Sequence, residues 1–407
     1  MTFVFNPEHD LCLANGDSHF VPPASALKFG RDCHDLLETV LGNQEMPEQD
    51  RSAEVPYGCK SRYEVLPWGW NNVLKTNLLK AGIPETQLPS DSDIAEIRRL
   101  SHRRTALQTG RFIWEALRES GLHGHLTAGL PEEILTPEAA EHFLERHPNA
   151  VFKAPWSGSG KGLRWIRRNE FSHSDAGWCR NVIDKQGSII AEPREEVVCD
   201  FAMLFSTSNN GIHFEGYSLF DTDNGAYRSN ILASDRYILA HLSRFIPENV
   251  LTAVRRQLTT YLKDNFTGRY KGYLGVDMFI CRTNGESGDY LLNPCVEINV
   301  RMTMGLLARK YFDRHLSKDI IPGQAGSHSH ADFRDKDAES TKEKPGIDGR
   351  YRLTVFYAPD PATLRLQLDS AVTILTGITE DTRYAVAISG ASPILPFSGH
   401  TYQPDPR

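Results

Sequence analysis

Three groups of residues in this chain combine side chains able to bind phosphate, hold a cation or neutralise developing negative charge. The first is Lys153-Ala-Pro-Trp-Ser-Gly-Ser-Gly-Lys161-Gly162, a strand that runs out into alternating serine and glycine. Glycines let backbone N–H groups turn inward with no Cβ in the way, and serine hydroxyls add donors, so Ser157, Gly158, Ser159 and Gly160 could cradle phosphate oxygens. It is not a Walker A loop, because Pro155 stands where that motif needs glycine and Gly162 where it needs serine or threonine. An ordinary flexible hairpin loop has the same composition, so this segment alone stays open. The second group is Gly275-Val-Asp277-Met-Phe-Ile280 with Val296-Glu297-Ile-Asn299-Val-Arg301, two apolar strands that each carry charge. Residues two apart in a strand share a face. Glu297, Asn299 and Arg301 therefore point one way while Val296, Ile298 and Val300 enter the hydrophobic layer, and Asp277 joins the polar face if the strands pair. Two carboxylates, an amide oxygen and a guanidinium suit a magnesium ion plus a clamp for a transferring phosphoryl group. A solvent-facing sheet surface with a cross-strand salt bridge is the plainer alternative. The third group is Glu192 at the end of the run Ser188-Ile-Ile-Ala, with Asp200 further on. A strand edge with nearby carboxylates could hold an adenine ring and ribose hydroxyls, or be a charged turn.

The elements that position these groups follow from periodicity and punctuation. Phe3-Val-Phe5 reads as a first strand stopped by Asn6-Pro7. Asn71 caps a predicted helix carrying Val73, Leu74, Leu78 and Leu79, closed by Gly82 and Pro84, and a second helix runs from about Ser101 to Glu119 with Leu107, Phe112, Ile113 and Leu117 on its apolar stripe. Strands are predicted at 151–154, 162–166, 188–191, 201–205, 273–281 and 290–300, and a helix at 250–264. Antiparallel hairpins with interspersed helices imply an α+β layer architecture and not a doubly wound sheet. The expected domains are an N-terminal α/β unit over 1–100 and a two-part α+β unit over 101–320 that divides near 206. A polar linker is expected over 321–349 and a C-terminal α/β appendage over 350–407.

The 407 residues carry 45 Lys and Arg against 52 Asp and Glu, a formal net charge of −7, which argues against a general nucleic-acid backbone binder. No run of about 18 apolar residues predicts a membrane span, and the N-terminus lacks the basic-then-apolar pattern of a secretory signal. The seven cysteines are scattered without a Cys-x-x-Cys pair, which points to a reducing cytoplasm and away from disulfides or a zinc ribbon. His123-Gly-His125 and His328-Ser-His330 have no third ligand nearby and do not read as metal sites.

Taken in order, the three groups resemble the ATP-grasp superfamily over residues 101 to 312, particularly its carboxylate–amine ligases such as D-alanine–D-alanine ligase and glutathione synthetase. The resemblance implies an ATP-grasp fold, two α+β subdomains gripping ATP, behind an α/β N-terminal domain. It implies Mg2+ (with Mn2+ as a substitute) at Asp277, Glu297 and Asn299, and a nucleotide held by Arg103, Lys153, the loop 157–160, Glu192 and Asp200. Arginine at 103 or 104 stands where the superfamily usually has lysine. Arg301, Lys153 and Arg228 would act on the phosphoryl group, Arg228 because Arg228-Ser-Asn230 resembles an Arg-x-Asn element of these ligases, with Lys271 a lesser candidate. The implied reaction activates a small-molecule or peptide carboxylate as an acyl phosphate and transfers it to an amine. A kinase on the same scaffold and a non-catalytic nucleotide-binding module are the alternatives. Asn6-Pro7-Glu8-His9-Asp10 and Trp68-Gly69-Trp70 could line a second-substrate pocket, or be a capped turn and a buried aromatic plug. The acid, the amine and the oligomeric state are not legible.

Overall fold

The computed structural model describes residues 2–42, 65–127, 129, 131–157, 162–223, 226–283, 289–317 and 348–390. Two short strands, β1 (Thr2–Val4) and β2 (Val65–Pro67), pair in parallel, with helices His9–Asn15, Ala24–Asp32 and Leu36–Leu41 between them in the chain. Asn71 caps the helix Asn72–Lys80, its side-chain oxygen accepting the Leu74 N–H at 2.9 Å, and Gly82 follows in the left-handed conformation at φ 87°. The helix Arg103–Glu119 starts on His102, whose ring accepts the Arg104 N–H at 2.9 Å. Its buried stripe holds Ala106, Leu107, Ile113 and Leu117. Phe112, expected on that stripe, lies at its edge against Tyr261 and is exposed.

A four-stranded sheet comes next. β3 (Glu132–Ile134), β4 (Asn149–Lys153), β5 (Leu163–Arg167) and β6 (Ile189–Pro193) are arranged β3-β6-β4-β5, every pair antiparallel. Helices Pro137–Arg146 and His173–Gln186 cover it over Phe143, Phe152, Ile189 and Val182. An eight-stranded sheet follows, built from β7 (Glu196–Ser208), β8 (Gly211–Asp223), β9 (Ala226–Leu232), β10 (Gly272–Arg282), β11 (Tyr290–Asn299), β12 (Tyr351–Tyr357), β13 (Ala371–Ile374) and β14 (Tyr384–Gly390). Its order is β11-β10-β7-β8-β9-β12-β14-β13. Phe201, Met203, Phe205, Val276 and Ile298 face Val254, Leu258 and Leu262 of the helix Glu248–Phe266 in the main core. Each such fully buried side chain contributes roughly 1.5–3 kcal/mol.

The architecture is α+β, as the strand and helix pattern implies. Two boundaries differ from expectation. The small sheet ends at Pro193 and the large one begins at Glu196, so the division falls there and not near 206. The C-terminal strands are not an appendage: β12 pairs with β9, and Leu353, Val386 and Ile388 share a core with Phe5, Leu36, Trp68, Leu307 and Phe312. The predicted linker lies almost entirely outside the described residues.

Candidate active site

β10 and β11 pair so that Asp277 stands directly opposite Glu297, and Gly275 opposite Asn299. The alternation that buries Ile298 and Val300 turns Glu297, Asn299 and Arg301 to the other face, where with Asp277 they line a cleft of about 450 Å³. Asn299 Nδ2 donates to Asp277 Oδ2 at 2.9 Å. Burial, and then the facing Glu297, push the Asp277 carboxyl up to about 7. On the neighbouring strand Asp200 is pushed up to about 6, first by burial, while Thr222 Oγ1 donates to it at 2.9 Å.

The small sheet supplies the opposing cation. Lys153 ends β4, Glu192 lies on the adjacent β6, and Nζ to Oε2 is 2.6 Å with both side chains buried. The positive charge of Lys153 reaches Asp200, and the negative charge of Asp200 reaches Asp277. Arg103 closes the ring from the helix side. Its guanidinium donates to the Ala154 carbonyl at 2.5 Å and to Ser157 Oγ at 2.8 Å, and it pairs with Glu297 at 2.9 Å. Direct contacts join Lys153 to Glu192 and Arg103 to Glu297, Ala154 and Ser157, while Asp200 feels Lys153, and Asp277 feels Asp200, through their charges alone.

Arg301 has a partner that no local pattern reveals. Its Nε and Nη2 form a forked pair with Asp10, 2.8 Å at the shortest, although 291 residues separate them. Burial alone would raise Asp10, but Arg301 holds it below the usual carboxylate range. The guanidinium also stands 5.6 Å from the Trp68 ring centre. Trp68 itself is set by its neighbours. Asn6 exchanges hydrogen bonds with the Gly69 backbone at 2.9 and 3.3 Å, and the His9 ring packs so closely on Gly69 that a Cβ there would lie 2.6 Å from Nδ1. Trp68 is both a buried plug and part of the cleft wall.

The expected site residues therefore fall into four groups. Asp277, Glu297, Asn299, Arg301, Arg103 and Ser157 line the cleft, and Lys153, Glu192 and Asp200 lie behind it. Arg103 is the arginine at the site, whereas Arg104 is bound to Glu133 on the surface. Arg228 is not brought in: it is exposed on β9 and absent from the cleft wall, where Tyr227 and Asn230 stand instead, joined at 2.6 Å. Lys271 is likewise exposed and outside the cleft. Gly158, Ser159 and Gly160 lie outside the described residues. Ser218, Tyr227 and Thr303 also line the cleft. Nothing in their sequence neighbourhood marks them, since ordinary strand and cap positions carry the same residue types.

The donor set suits a divalent cation. Arg103 pairs with Glu297 and not with Asp277, whose carboxyl is raised first by burial and then by Glu297, with Asn299 and the Arg301 charge opposing. Among the described residues no three or more His, Cys, Asp or Glu side chains converge as metal ligands. Magnesium commonly keeps one or two carboxylates and fills its remaining positions with water or phosphate oxygens.

No protein-family model matches the chain, and no curated protein matches it. Among solved structures the chain is similar to the ADP complex of N5-carboxyaminoimidazole synthetase from Staphylococcus aureus, at 12% identity over 72% of this chain and 68% of that one, TM-score 0.41. It is also similar to a biotin carboxylase–βγ-ATP complex from Campylobacter jejuni, 12% identical over 81% and 71%, TM-score 0.44. A third is the biotin carboxylase domain of the Hydrogenobacter thermophilus 2-oxoglutarate carboxylase with MgADP, ADP and bicarbonate, 12% identical over 81% and 70%, TM-score 0.47. Among the described residues no helix is long and apolar enough to cross a membrane.

Proposed function

We propose that this chain is an ATP- and Mg2+-dependent ligase of the ATP-grasp type, joining a carboxylate to an amine through an acyl phosphate. The observation that carries the reading is the lining of one cleft by Asp277, Glu297, Asn299, Arg301, Arg103 and Ser157, with Arg103 joining Glu297 to Ser157, which gathers phosphate-binding and cation-binding residue types. An acid oxygen attacks the γ-phosphorus and ADP departs. The amine then attacks the acyl carbon, and phosphate leaves carrying that acid oxygen.

Asp277, Glu297 and the Asn299 amide oxygen would hold Mg2+, which when bound neutralises triphosphate charge and polarises the phosphoryl oxygens. Lys153 and Arg103 bring positive charge to the phosphates, with Ser157 adding a hydroxyl donor. Glu192 and Asp200 accept ribose or adenine donors. Arg301, held by Asp10, presents a pre-oriented guanidinium to the acid and the transferring phosphoryl group. Catalysis here is positioning and charge neutralisation, with no side-chain nucleophile.

Carboxylates labelled with oxygen-18 are to be incubated with the protein, ATP, Mg2+ and an amine. Label in the released inorganic phosphate is the expected result, lost in Glu297→Ala. ADP formation with unlabelled phosphate, or with a stable phosphorylated hydroxyl product, would overturn the ligase reading in favour of a hydrolase or a kinase.

A further inference from the structure

The cleft has two unlike ends. The charged residues among its lining are Asp10, Arg103, Asp277, Glu297 and Arg301, all at the end just described. The other end is walled by rings. Trp68 meets Phe5 edge-on at 5.2 Å, Phe5 meets Phe29 edge-on at 5.3 Å, and Phe29 leans on Tyr384 at 5.0 Å. Val355 of β12 completes this wall. The first ring is the one beneath Arg301, so the wall is continuous with the clamp.

Phe5 and Trp68 are buried in the core, but Phe29, Val355 and Tyr384 are only half-buried and face the cleft. A recess of half-covered rings inside a polar site is where a ligand's apolar body replaces water. Among the described residues the recess offers no charged side chain to a second ionised group. The Asp10 carboxylate at its entrance is already taken up by Arg301.

We infer that the acid activated at this site carries a neutral aromatic or bulky apolar body, seated on Trp68, Phe5, Phe29 and Tyr384 with its carboxylate at Arg301. The inference rests on the ligase reading and deepens it. It also gives the C-terminal strands a task, because β12 and β14 bring Val355 and Tyr384 to the same wall as the N-terminal Phe5 and Phe29. Specificity is then built jointly from the two ends of the chain, which pack in one core.

The test is calorimetric titration of the full chain, saturated with a nonhydrolysable ATP analogue and Mg2+, with 3-phenylpropionate, propionate and glutarate. 3-Phenylpropionate is expected to bind at least tenfold more tightly than either of the others. Phe29→Ser and, separately, Tyr384→Ser are expected to shrink that ratio to about threefold or less. Equal affinities, or tightest binding of glutarate, would overturn the inference, and that result is obtained on the unaltered protein whether or not the variants fold. Nucleotide binding is read in the preceding titration. If the analogue fails to bind while 3-phenylpropionate is preferred, the ligase reading falls and the apolar recess stands. If the analogue binds and the acids are not distinguished, only the present inference falls.

Discussion

Arg103 bonds the Ala154 carbonyl and the Ser157 hydroxyl just after β4 and pairs with Glu297 of β11, so it ties the small sheet's loop to the large sheet. Replacing it with leucine removes a charge that is almost fully buried and leaves Glu297 facing Asp277 with only the more distant Arg301 charge to offset it. Breaking a fully buried pair costs about 3–5 kcal/mol, whereas exposed pairs contribute about 0–1 kcal/mol. Arg103 is 6% exposed and Glu297 24%, so water relieves Glu297 in part and the pair falls between these limits. A double-mutant cycle of Arg103→Leu and Glu297→Gln should give a coupling of about 2 kcal/mol in urea unfolding. Arg103→Leu alone should cost about 3 kcal/mol, because the hydrogen bonds to Ala154 and Ser157 are lost with the pair. Additive effects of the two substitutions, within about 0.5 kcal/mol, would refute the bridge between the sheets.

The remaining predictions concern the supports of the site. Gly69→Ala forces a Cβ into the His9 ring and should destabilise the chain by about 1–3 kcal/mol in urea unfolding. Asp10→Asn removes the charged fork that holds Arg301, and should lower turnover of ATP about tenfold or more at saturating substrate, with Asp10→Glu recovering part of it. Burial pushes His9 and His102 down to about 4, so between pH 6.5 and 4 the unfolded chain binds protons that the folded chain refuses, and these groups cost stability as pH falls. Asp277 and Asp200, pushed up to about 7 and about 6 chiefly by burial, bind protons in the folded state first and act in the opposite direction over the same range. The histidine contribution is therefore isolated by difference. His102→Asn, which keeps a capping oxygen for the Arg104 N–H, should gain on the unsubstituted chain by about 1.4 kcal/mol per pH unit between pH 6.5 and 4. A stability difference that stays constant from pH 7.5 to pH 5 would contradict the buried, neutral His102.

The acid pair is legible in sequence because a carboxylate inside an apolar strand is costly and has to face something polar. Period two then fixes which neighbours share its face. The register is not legible, since a long hairpin separates β10 from β11, yet Asp277 and Glu297 stand directly opposite each other. Arg301 is legible as a charge on that face, while its partner Asp10 depends on the packing of the N-terminal segment 291 residues away. Arg228 resembles a known element in its local spelling, but it is the extra residue of a β-bulge where β9 shifts register against β8, so it turns outward while Asn230 enters the cleft. The C-terminal strands have ordinary alternation, and nothing in such a pattern says which sheet edge they will extend. β8 alternates Ile212 and Phe214 with His213 and Glu215, but Gly216 at φ 133° and the register shift beside it put Tyr217 out of phase, so its thirteen residues carry no unbroken period.

The most direct measurement of the central claim is a crystal structure of the full chain with a nonhydrolysable ATP analogue and Mg2+. Triphosphate density is expected in the cleft lined by Ser157, Arg103, Asp277, Glu297 and Asn299, with metal density beside the two carboxylates. A triphosphate bound elsewhere on the molecule, or no nucleotide at millimolar concentration, would contradict it.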